Sequence, residues 1–270
     1  MSIDEGEIER LAAEVRRGKK YRHVSEALIY HIGSNELEKR SSFKDAVKAT
    51  RNKLHQVGAL YFERSIDYTA AISAMIDAQQ DGEEALLRKA QELMHFHTST
   101  RERVGILPEF YPQLMAAVPE SKVILDLACG LNPLAIPWMN LSDETHYHAF
   151  DIYADLVSFV EQVMQIYGTV GTAEVRDIIH DPPVIAADLA LVLKSFPCLE
   201  QVEKGAGQRL LQNLHARFIA VSYPVQGVGG RGKGMRENYQ DQFDSALKGL
   251  NWPIQRLEFE TELVFLIDKG

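Results

Sequence analysis

VILDLACGLNP, residues 123–133, is the stretch of sequence that decides the fold. Its apolar run, which ends in an acid, is typical of a strand buried on both faces. Asn132 can cap a helix that begins with Pro133, and Gly130 lets the backbone approach a ligand closely. In an open α/β sheet, ligands bind at the carboxyl ends of the strands, near the point where the strand order reverses. The stretch therefore predicts a strand-to-helix turn that cradles a nucleotide-like ligand.

The composition indicates a globular protein. With 270 residues, of which 46% are apolar, the chain can bury a core for one large domain or two smaller ones. No apolar run approaches the ~20 residues needed to cross a bilayer, and residues 1–15 are too charged for a signal peptide. We therefore expect a cytoplasmic protein with no membrane partner.

The two cysteines, Cys129 and Cys198, are too few for a disulfide framework or a cysteine-rich zinc site, and we expect no metal.

Positive charge is concentrated near the N-terminus, although the net charge of the chain is −9. Residues 15–55 contain eleven Lys or Arg against four acidic residues. Such a segment on an acidic body can bind a phosphate backbone locally. Charge alone, however, is equally consistent with a helix surface that is only solvated. The cations that we expect to contact RNA here are Arg17, Lys19, Lys20, Arg22, Lys44, Lys48, Arg51 and Lys53.

The hydrophobic pattern divides the chain into two parts. Up to residue 107, apolar residues recur at spacings of three and four, which predicts an all-α N-terminal domain over residues 1–107. From residue 122, short apolar strands alternate with helical segments, which predicts a mostly parallel α/β sheet in a domain over residues 108–270. Two alternating strands around Thr261 predict a closing antiparallel hairpin. The predicted strands are residues 123–128, 147–152, 173–177, 188–193 and 218–222, and the predicted helices are residues 133–140, 154–167, 199–215 and 235–248.

A helix boundary is predicted shortly before the sheet. Residues 83–96 have a helical pattern, and the HTSTRERV that follows places Ser99 and Glu102 at the spacing of a capping box. We therefore expect one helix to end and another to begin at this point.

Three acids at the ends of successive predicted strands indicate the ligand. A dinucleotide site would show a GxGxxG motif after the first strand, but only Gly130 is present, and a Walker lysine motif is absent. Asp151 can accept hydrogen bonds from both ribose hydroxyls, and Asp177 can accept one from an adenine amino group. Together with Asp126, these acids also suit a cationic sulfonium. The pattern favours S-adenosylmethionine over an anionic nucleotide, although any one of the acids can instead cap a strand-to-loop turn.

The motifs along the chain resemble one known family. LDLACGLNPLA is similar to the corresponding turn of the aminoglycoside-resistance 16S rRNA (guanine(1405)-N7)-methyltransferases, which departs from the usual glycine-rich motif. The most discriminating match is GGRGKGM, residues 229–235, because generic methyltransferases lack it. Further matching segments read GKKYR, HTSTRER, FDI, RD, DLALVLKSFP, AVSYPVQGV, ENY and TELVFLI.

The resemblance implies a fold, a reaction and a partner. The fold is a class I (Rossmann-like) methyltransferase sheet preceded by the helical domain. The reaction is S-adenosylmethionine-dependent methylation of guanine 1405 N7 in the 16S rRNA of the assembled 30S subunit, which confers resistance to 4,6-disubstituted deoxystreptamine aminoglycosides. The partner is the 30S ribosomal subunit at its 16S rRNA decoding-site helix, where the basic helices would dock, and we expect the protein to be a monomer.

The resemblance also implies roles for individual residues. Guanine N7 carries a lone pair and no proton, so no general base is expected, and positioning and electrostatics would do the work. Arg103 is implied as the partner of the cofactor's carboxylate, with Arg101 as a competitor for that role. The implied cofactor-binding residues are His97, Ser99, Thr100, Arg103, Asp126, Gly130, Asp151, Ile152, Asp177 and Ile178. The implied target-positioning residues are Lys194, Ser222, Arg231 and Met235, and Arg231 and Lys233 extend the RNA-binding set.

Two other functions stay open at this point. Cys198 follows Phe196-Pro197, and this arrangement resembles the Pro-Cys nucleophile of cytosine-C5 methyltransferases, although AVSYP offers no second cysteine. In that case the protein is an RNA cytosine-C5 methyltransferase. Alternatively, it is a catalytically silent 30S-binding factor that has kept the fold.

Overall fold

The computed structural model describes residues 4–56, 66–225 and 235–270. Before the sheet, these ranges contain α1 (Glu5–Arg16), a 3-10 turn (Lys19–Tyr21), α2 (Glu26–Lys39), α3 (Phe43–Leu54), α4 (Tyr68–Gln80), α5 (Glu83–Met94), α6 (Thr98–Val104) and α7 (Leu107–Ala116). The sheet region contains β1 (Val123–Leu127), a 3-10 helix (Asn132–Met139), β2 (His146–Asp151), α8 (Ala154–Tyr167), β3 (Val170–Val175), β4 (Ala187–Leu193), α9 (Phe196–Val202), α10 (Ala206–Asn213), β5 (Ala216–Pro224), α11 (Met235–Ala246), β6 (Ile254–Glu258) and β7 (Glu262–Asp268). Within the described ranges, no helix is long and apolar enough to cross a membrane.

The seven strands form one sheet in the order β3-β2-β1-β4-β5-β7-β6. β1 to β5 pair in parallel, whereas β7 pairs antiparallel with both β5 and β6. The prediction of a mostly parallel α/β sheet with a C-terminal antiparallel hairpin is therefore confirmed. The strand order reverses between β1 and β4, so a crevice is expected where these two strands end.

Both faces of the sheet are buried, which explains the nearly continuous apolar run of β1. Ile124 belongs to an apolar cluster on one face, together with residues of α4, α5, α7 and α8. Leu125 and Leu127 belong to the cluster on the opposite face, together with residues of α9, α10 and α11. The end of β1 is consequently held from both sides.

The helices that precede the sheet divide between two apolar clusters. α1, α2 and α3 pack on one another through residues that include Leu11, Leu28 and Val47. α4 to α7 instead join the cluster of the sheet, through residues such as Met75 and Phe110. The domain boundary at residue 107 stays a prediction, but the buried clusters divide the chain between α3 and α4.

The predicted helix over residues 199–215 is wrong, because two helices, α9 and α10, occupy this segment. Gly205, which lies between them, has a φ of +80°, a left-handed conformation that interrupts a helix. The Glu200 carboxylate fixes this corner by accepting hydrogen bonds from the N–H groups of Gly205 at 2.9 Å and Gly207 at 2.8 Å.

The helix break near Ser99 is present, but the predicted capping box is wrong. α5 ends at Met94 and α6 begins at Thr98, with His97 as the N-cap residue. Ser99 consequently lies inside the first turn of α6.

After β1, the predicted helix takes the 3-10 form, and its Pro133 and Pro137 have no N–H groups to donate to a regular α-helix.

Candidate functional site

The turn after β1 brings its backbone next to the end of β2. Ala128 and Gly130 have φ angles of 51° and 52°, in the left-handed region. The Gly130 N–H donates a hydrogen bond to Asp151 Oδ2 at 2.9 Å. A Cβ atom on Gly130 would lie 3.2 Å from the ring of His97. Both the backbone conformation and the limited space therefore favour glycine at this position.

Asp151 ends β2 and is held by three backbone N–H groups. Besides the bond from Gly130, its Oδ1 accepts hydrogen bonds from the N–H groups of Ile152 at 2.7 Å and Tyr153 at 3.3 Å. Burial raises the pKa of this carboxyl above its ordinary value, and the three hydrogen bonds act against that shift. The carboxyl group is therefore fixed in position directly after the strand.

Asp177 lies two residues beyond β3 and accepts hydrogen bonds from two histidines. His31 Nδ1 lies 3.0 Å and His180 Nδ1 lies 2.7 Å from Asp177 Oδ2, and the N–H of Ile179 donates to Oδ1 at 3.1 Å. Burial alone would raise the pKa of Asp177, but the hydrogen bond and charge of His180, together with the bond from His31, hold it below its ordinary value. The group is consequently an ionised carboxylate at neutral pH.

A pocket lies where β1, β2, β3 and β4 end. It is lined by seven of the ten predicted cofactor-binding residues, which are His97, Ser99, Gly130, Asp151, Ile152, Asp177 and Ile178. Lys194, which is predicted to position the target, also lines it. The remaining walls are mostly apolar and are formed by Leu28, Ala128, Tyr153, Arg176, Ile179, Leu193, Ser195, Cys198 and Leu199.

His97 contributes a neutral imidazole to the pocket wall. Burial, reinforced by the nearby charges of Arg103 and Lys194, lowers the pKa of His97 to about 3. Its Nδ1 lies 2.8 Å from Ser99 Oγ. The His97 ring itself therefore adds no positive charge to the pocket.

Arg103 lies behind the pocket wall in a buried ion pair. Its Nε donates to Glu262 Oε2 at 2.9 Å and its Nη2 donates to Oε1 at 2.6 Å. Its Nη1 donates to Asn132 Oδ1 at 2.7 Å and to the Tyr111 hydroxyl at 3.4 Å. These bonds engage four of the five N–H donors of the guanidinium. A contact between Arg103 and a cofactor carboxylate stays a prediction.

Asp126 and Thr100 also lie outside the pocket lining. Asp126 Oδ2 accepts hydrogen bonds from the Tyr147 hydroxyl at 2.5 Å and from Asn132 Nδ2 at 3.0 Å. Burial raises the pKa of Asp126 to about 6, although these two hydrogen bonds act against the shift. Thr100 Oγ1 donates to the Met94 carbonyl at 2.7 Å. Both side chains brace the elements around the pocket, and their assignment as cofactor contacts stays a prediction.

Lys194 directly follows β4 in a conformation that is rare for a residue with a side chain. Its φ is 56°, and its backbone N–H donates to the Ser222 carbonyl at 3.1 Å and to Ser222 Oγ at 3.0 Å. Its Nζ donates to Glu102 at 2.9 Å and to the Ser99 carbonyl at 3.3 Å, and it lies 3.3 Å from Glu262. Ser222 is buried and donates to Glu262 at 2.5 Å. In the structure Ser222 therefore supports Lys194, and target positioning by either residue stays a prediction.

The predicted RNA-binding cations of the N-terminal region lie on α3 and in the segment between α1 and α2, where Arg17 is the C-cap residue of α1. Arg51 and Lys53 are half-buried, because Arg51 donates to the Glu14 carbonyl and Lys53 Nζ lies 3.9 Å from Glu36. These two cations help to hold the helices together. The exposed members of the set are Arg17, Lys19, Lys20, Arg22, Lys44 and Lys48.

The glycine-rich stretch of the resemblance lies outside the described residues. Arg231 and Lys233 fall in the gap between residues 225 and 235. Met235 begins α11, but its side chain is not among those described. RNA contacts by these three residues stay predictions.

Sequence reasoning missed several residues of the site. Leu28 and His31 reach the pocket region from α2. α2 lies far from the strands of the sheet in sequence, and no local pattern indicates that it packs beside the pocket. Glu262 is part of the TELVFLI segment but received no role. The available signal was an acidic residue inside an otherwise apolar strand, which is rarely buried without a partner.

The fold and the pocket together define a class of protein. A seven-stranded sheet of this order closed by a hairpin, with a glycine turn after β1, is the architecture of the class I methyltransferases. Fixed carboxylates after β2 and β3 suit the adenosyl group of the S-adenosylmethionine that this class uses.

Comparison with known proteins identifies the family within this class. A family model described as ribosomal RNA methyltransferase (FmrO) matches residues 17–266. The chain is 37% identical to the 16S rRNA (guanine(1405)-N(7))-methyltransferase of Micromonospora rosea and 35% identical to that of Micromonospora echinospora, each over 99% of both chains. The crystal structure of the 16S rRNA methyltransferase RmtF in complex with S-adenosyl-L-homocysteine matches over 100% of both chains, with a TM-score of 0.84 and 28% identity. The chain belongs to the FmrO family of ribosomal RNA methyltransferases, and the family predicted from the motifs is confirmed.

Proposed function

We propose that the protein transfers a methyl group from S-adenosylmethionine to N7 of guanine 1405 in the 16S rRNA of the assembled 30S subunit. The added methyl group and positive charge would block aminoglycosides of the 4,6-disubstituted deoxystreptamine class at the decoding site. The observation that carries the proposal is the pair of fixed carboxylates, Asp151 and Asp177, after neighbouring parallel strands in a chain of this family.

The pocket residues fit the adenosyl part of the cofactor. Asp151 offers carboxylate oxygens for ribose hydroxyls, and Asp177 offers one for an adenine amino group. Ile152 and Ile178 provide apolar surface beside them, and Gly130 leaves open the space that a Cβ atom would fill. The carboxylates also favour a positively charged sulfonium.

Methyl transfer to guanine N7 requires no proton transfer. The cofactor supplies an electrophilic methyl group on a positively charged sulfur. With the cofactor bound, N7 would form a bond to the methyl carbon while the bond between that carbon and sulfur breaks, and the positive charge would pass from sulfur to the base. The protein's task is therefore to hold the base in line with the methyl group. We assign Lys194, which is fixed beside the pocket after β4, to the target side.

A calorimetric experiment tests the cofactor assignment directly. Asp151→Asn should weaken binding of S-adenosylhomocysteine by about 100-fold, because a neutral amide is a poorer acceptor for two hydroxyl donors than a carboxylate. Asp143→Asn, at an exposed site away from the pocket, is the matched control and should bind normally. Unchanged affinity in Asp151→Asn would refute the ribose assignment.

Two other functions predicted from the sequence are distinguished by separate measurements. Cys198 is buried on the pocket wall in the first turn of α9, where the apolar cluster of the sheet surrounds that helix. If Cys198 is a packing residue, Cys198→Ser should retain methyl transfer, whereas a covalent RNA adduct in the wild type would favour cytosine chemistry. A silent factor would bind 30S subunits but show no heat of binding with S-adenosylmethionine.

A further inference from the structure

We propose that His31, on α2 of the N-terminal region, is a positioning residue for the cofactor that orients the Asp177 carboxylate toward the adenine amino group. The inference rests on the proposed role of Asp177 in binding adenine. It assigns to the basic N-terminal helices a part in building the cofactor site, in addition to contacting RNA.

The hydrogen bonds around Asp177 leave its carboxylate one acceptor position for a ligand. A carboxylate only accepts hydrogen bonds, so His31 Nδ1 and His180 Nδ1 both donate to Oδ2, and these two bonds occupy its two lone pairs. The N–H of Ile179 occupies one lone pair of Oδ1. One acceptor position remains, on Oδ1, and its direction depends on what holds the carboxylate plane.

His31 and His180 hold that plane jointly. Their rings stack with centroids 3.9 Å apart and planes inclined by 29°. His180 Nε2 also lies 3.4 Å from Glu203, so His180 is anchored within the sheet region. His31 is the side chain that the described part of α2 contributes to Asp177. Without it, Oδ2 loses one of its two donors, and the carboxylate plane is held only by His180 and the N–H of Ile179.

Backbone hydrogen bonds fix α2 at this end of the pocket. The Ser25 N–H donates to the Ile152 carbonyl at 2.7 Å, and the Ala154 N–H donates to the His23 carbonyl at 2.8 Å. Leu28, one turn before His31, lines the pocket itself. The start of α2 is thus bonded to the two residues on either side of Tyr153, directly after the ribose-binding Asp151.

The same three side chains have the spacing of a metal site, but their orientation favours hydrogen bonding. The donor atoms of His31, Asp177 and His180 lie within 4.8 Å of one another. A metal ligand must direct its in-plane lone pair at the ion. Both Nδ1 atoms are instead directed at Asp177 Oδ2, so the carboxylate oxygen itself occupies the point on which the two nitrogens converge.

α2 also packs on α3, which carries the exposed Lys44 and Lys48, and on α1, which leads into the segment with the other exposed cations. His31 consequently connects the surface that we assign to RNA with the adenine end of the cofactor pocket. A contact of this kind makes cofactor affinity depend on a side chain of the N-terminal region.

The test compares two ligands in four proteins, the wild type and three variants, by calorimetry. One ligand is S-adenosylhomocysteine, and the other is its analogue in which hydrogen replaces the adenine 6-amino group. His31→Ala should lose about 5- to 30-fold in affinity for the first ligand and little for the second, because the lost bond acts through the amino group. His31→Asn should restore the preference, since an asparagine amide can donate from nearly the position of Nδ1. His146→Ala, at an exposed site outside the pocket, is the control.

The outcomes separate the two levels of the proposal. Equal losses for both ligands in His31→Ala, or no loss for either, would overturn the positioning role of His31. A wild-type protein that binds both ligands equally would instead refute Asp177 as the adenine contact, and with it the basis of the inference.

Discussion

Arg103 and Glu262 form a buried two-point ion pair, although 159 residues separate them along the chain. Their side chains are 1% and 0% exposed, and the two hydrogen bonds measure 2.9 and 2.6 Å. Glu262 also lies 3.3 Å from Lys194 Nζ. Burial alone would raise the pKa of Glu262, but the charges of Arg103 and Lys194 hold it below its ordinary value. The pair therefore ties α6 and β7 to the end of β4, behind the cofactor pocket.

Neutralising Glu262 should destabilise the protein strongly. Glu262→Gln leaves two buried cations without their shared carboxylate, and we expect it to lower the free energy of unfolding by about 3–5 kcal/mol. Glu144→Gln removes one partner of the exposed Lys122–Glu144 pair and should cost about 0–1 kcal/mol. Denaturant unfolding of both variants measures the difference. Similar losses at the two positions would show that the buried ion pair contributes no more to stability than the exposed pair.

A methyl group on Gly130 should damage both stability and cofactor binding. Gly130→Ala forces an alanine into φ +52° and places its Cβ 3.2 Å from the His97 ring, so we expect a loss of about 1–2 kcal/mol in stability. Binding of S-adenosylhomocysteine should weaken as the turn shifts. Gly105→Ala, where a Cβ meets no atom within 4 Å, is the control. Full cofactor affinity in Gly130→Ala would contradict the assignment of this turn to the cofactor.

The stability that His180 contributes should depend on pH in a defined direction. The hydrogen bond to Asp177 raises the pKa of His180 above its ordinary value of 6.5, with Glu203 adding to the effect. Because the pKa of His180 is raised in the folded protein, its contribution to stability is full below about pH 6.5. This contribution is lost as the pH rises through the folded-state pKa. The ring of His31 stacks on that of His180, and Arg209 pairs with Glu203 at 2.7 Å, so both side chains also face the site.

The measurement is the difference in unfolding free energy between the wild type and His180→Gln, taken from about pH 6 to about pH 9. This difference should shrink as the pH rises. His148, whose pKa is lowered by burial and by His146, supplies a control of opposite sign. The free energy of unfolding of the wild type, relative to that of His148→Gln, should increase as the pH rises through about 6.5. A pH-independent difference for His180→Gln would refute its charged role.

The exposed cations of α3 should contribute to 30S binding through phosphate contacts. Lys44→Ala combined with Lys48→Ala should weaken binding and reduce the dependence of log affinity on log salt by about two. Arg88→Ala combined with Lys122→Ala removes two exposed cations outside the basic helices and should leave that slope unchanged. Equal slopes for the two double variants would place the RNA surface elsewhere.

The fold followed from local patterns that short segments carry. The apolar run ending at Leu127 predicted β1, and β4 and α8 lie within one residue of the predicted ranges, because burial on both faces leaves a clear signal. Gly205 was the missed signal for the corner between α9 and α10. A glycine within a helical pattern does not by itself reveal that its φ is positive.

The residue pattern predicted the site where acids follow strand ends, whereas His97 and Ser99 at the start of α6 came from the family resemblance. Asp151 and Asp177 could be found because acids after parallel strands meet at one edge of the sheet. The partners of Arg103 and Asp177 could not, since Glu262 and His31 lie 159 and 146 residues away and only the tertiary fold brings them together. The resemblance pointed to Arg103 as a cofactor contact, whereas the structure shows an arginine most of whose donors already have partners.

The central claim is the methylation of one base, and chemical cleavage of the RNA tests it most directly. 30S subunits are treated with the protein and S-adenosylmethionine, and the 16S rRNA is then reduced and exposed to aniline, which cleaves at N7-methylguanine. The account predicts a break at guanine 1405 that requires both the protein and the cofactor, and that is absent with Asp151→Asn. An intact chain at guanine 1405 under these conditions, or a break at another guanine, would contradict it.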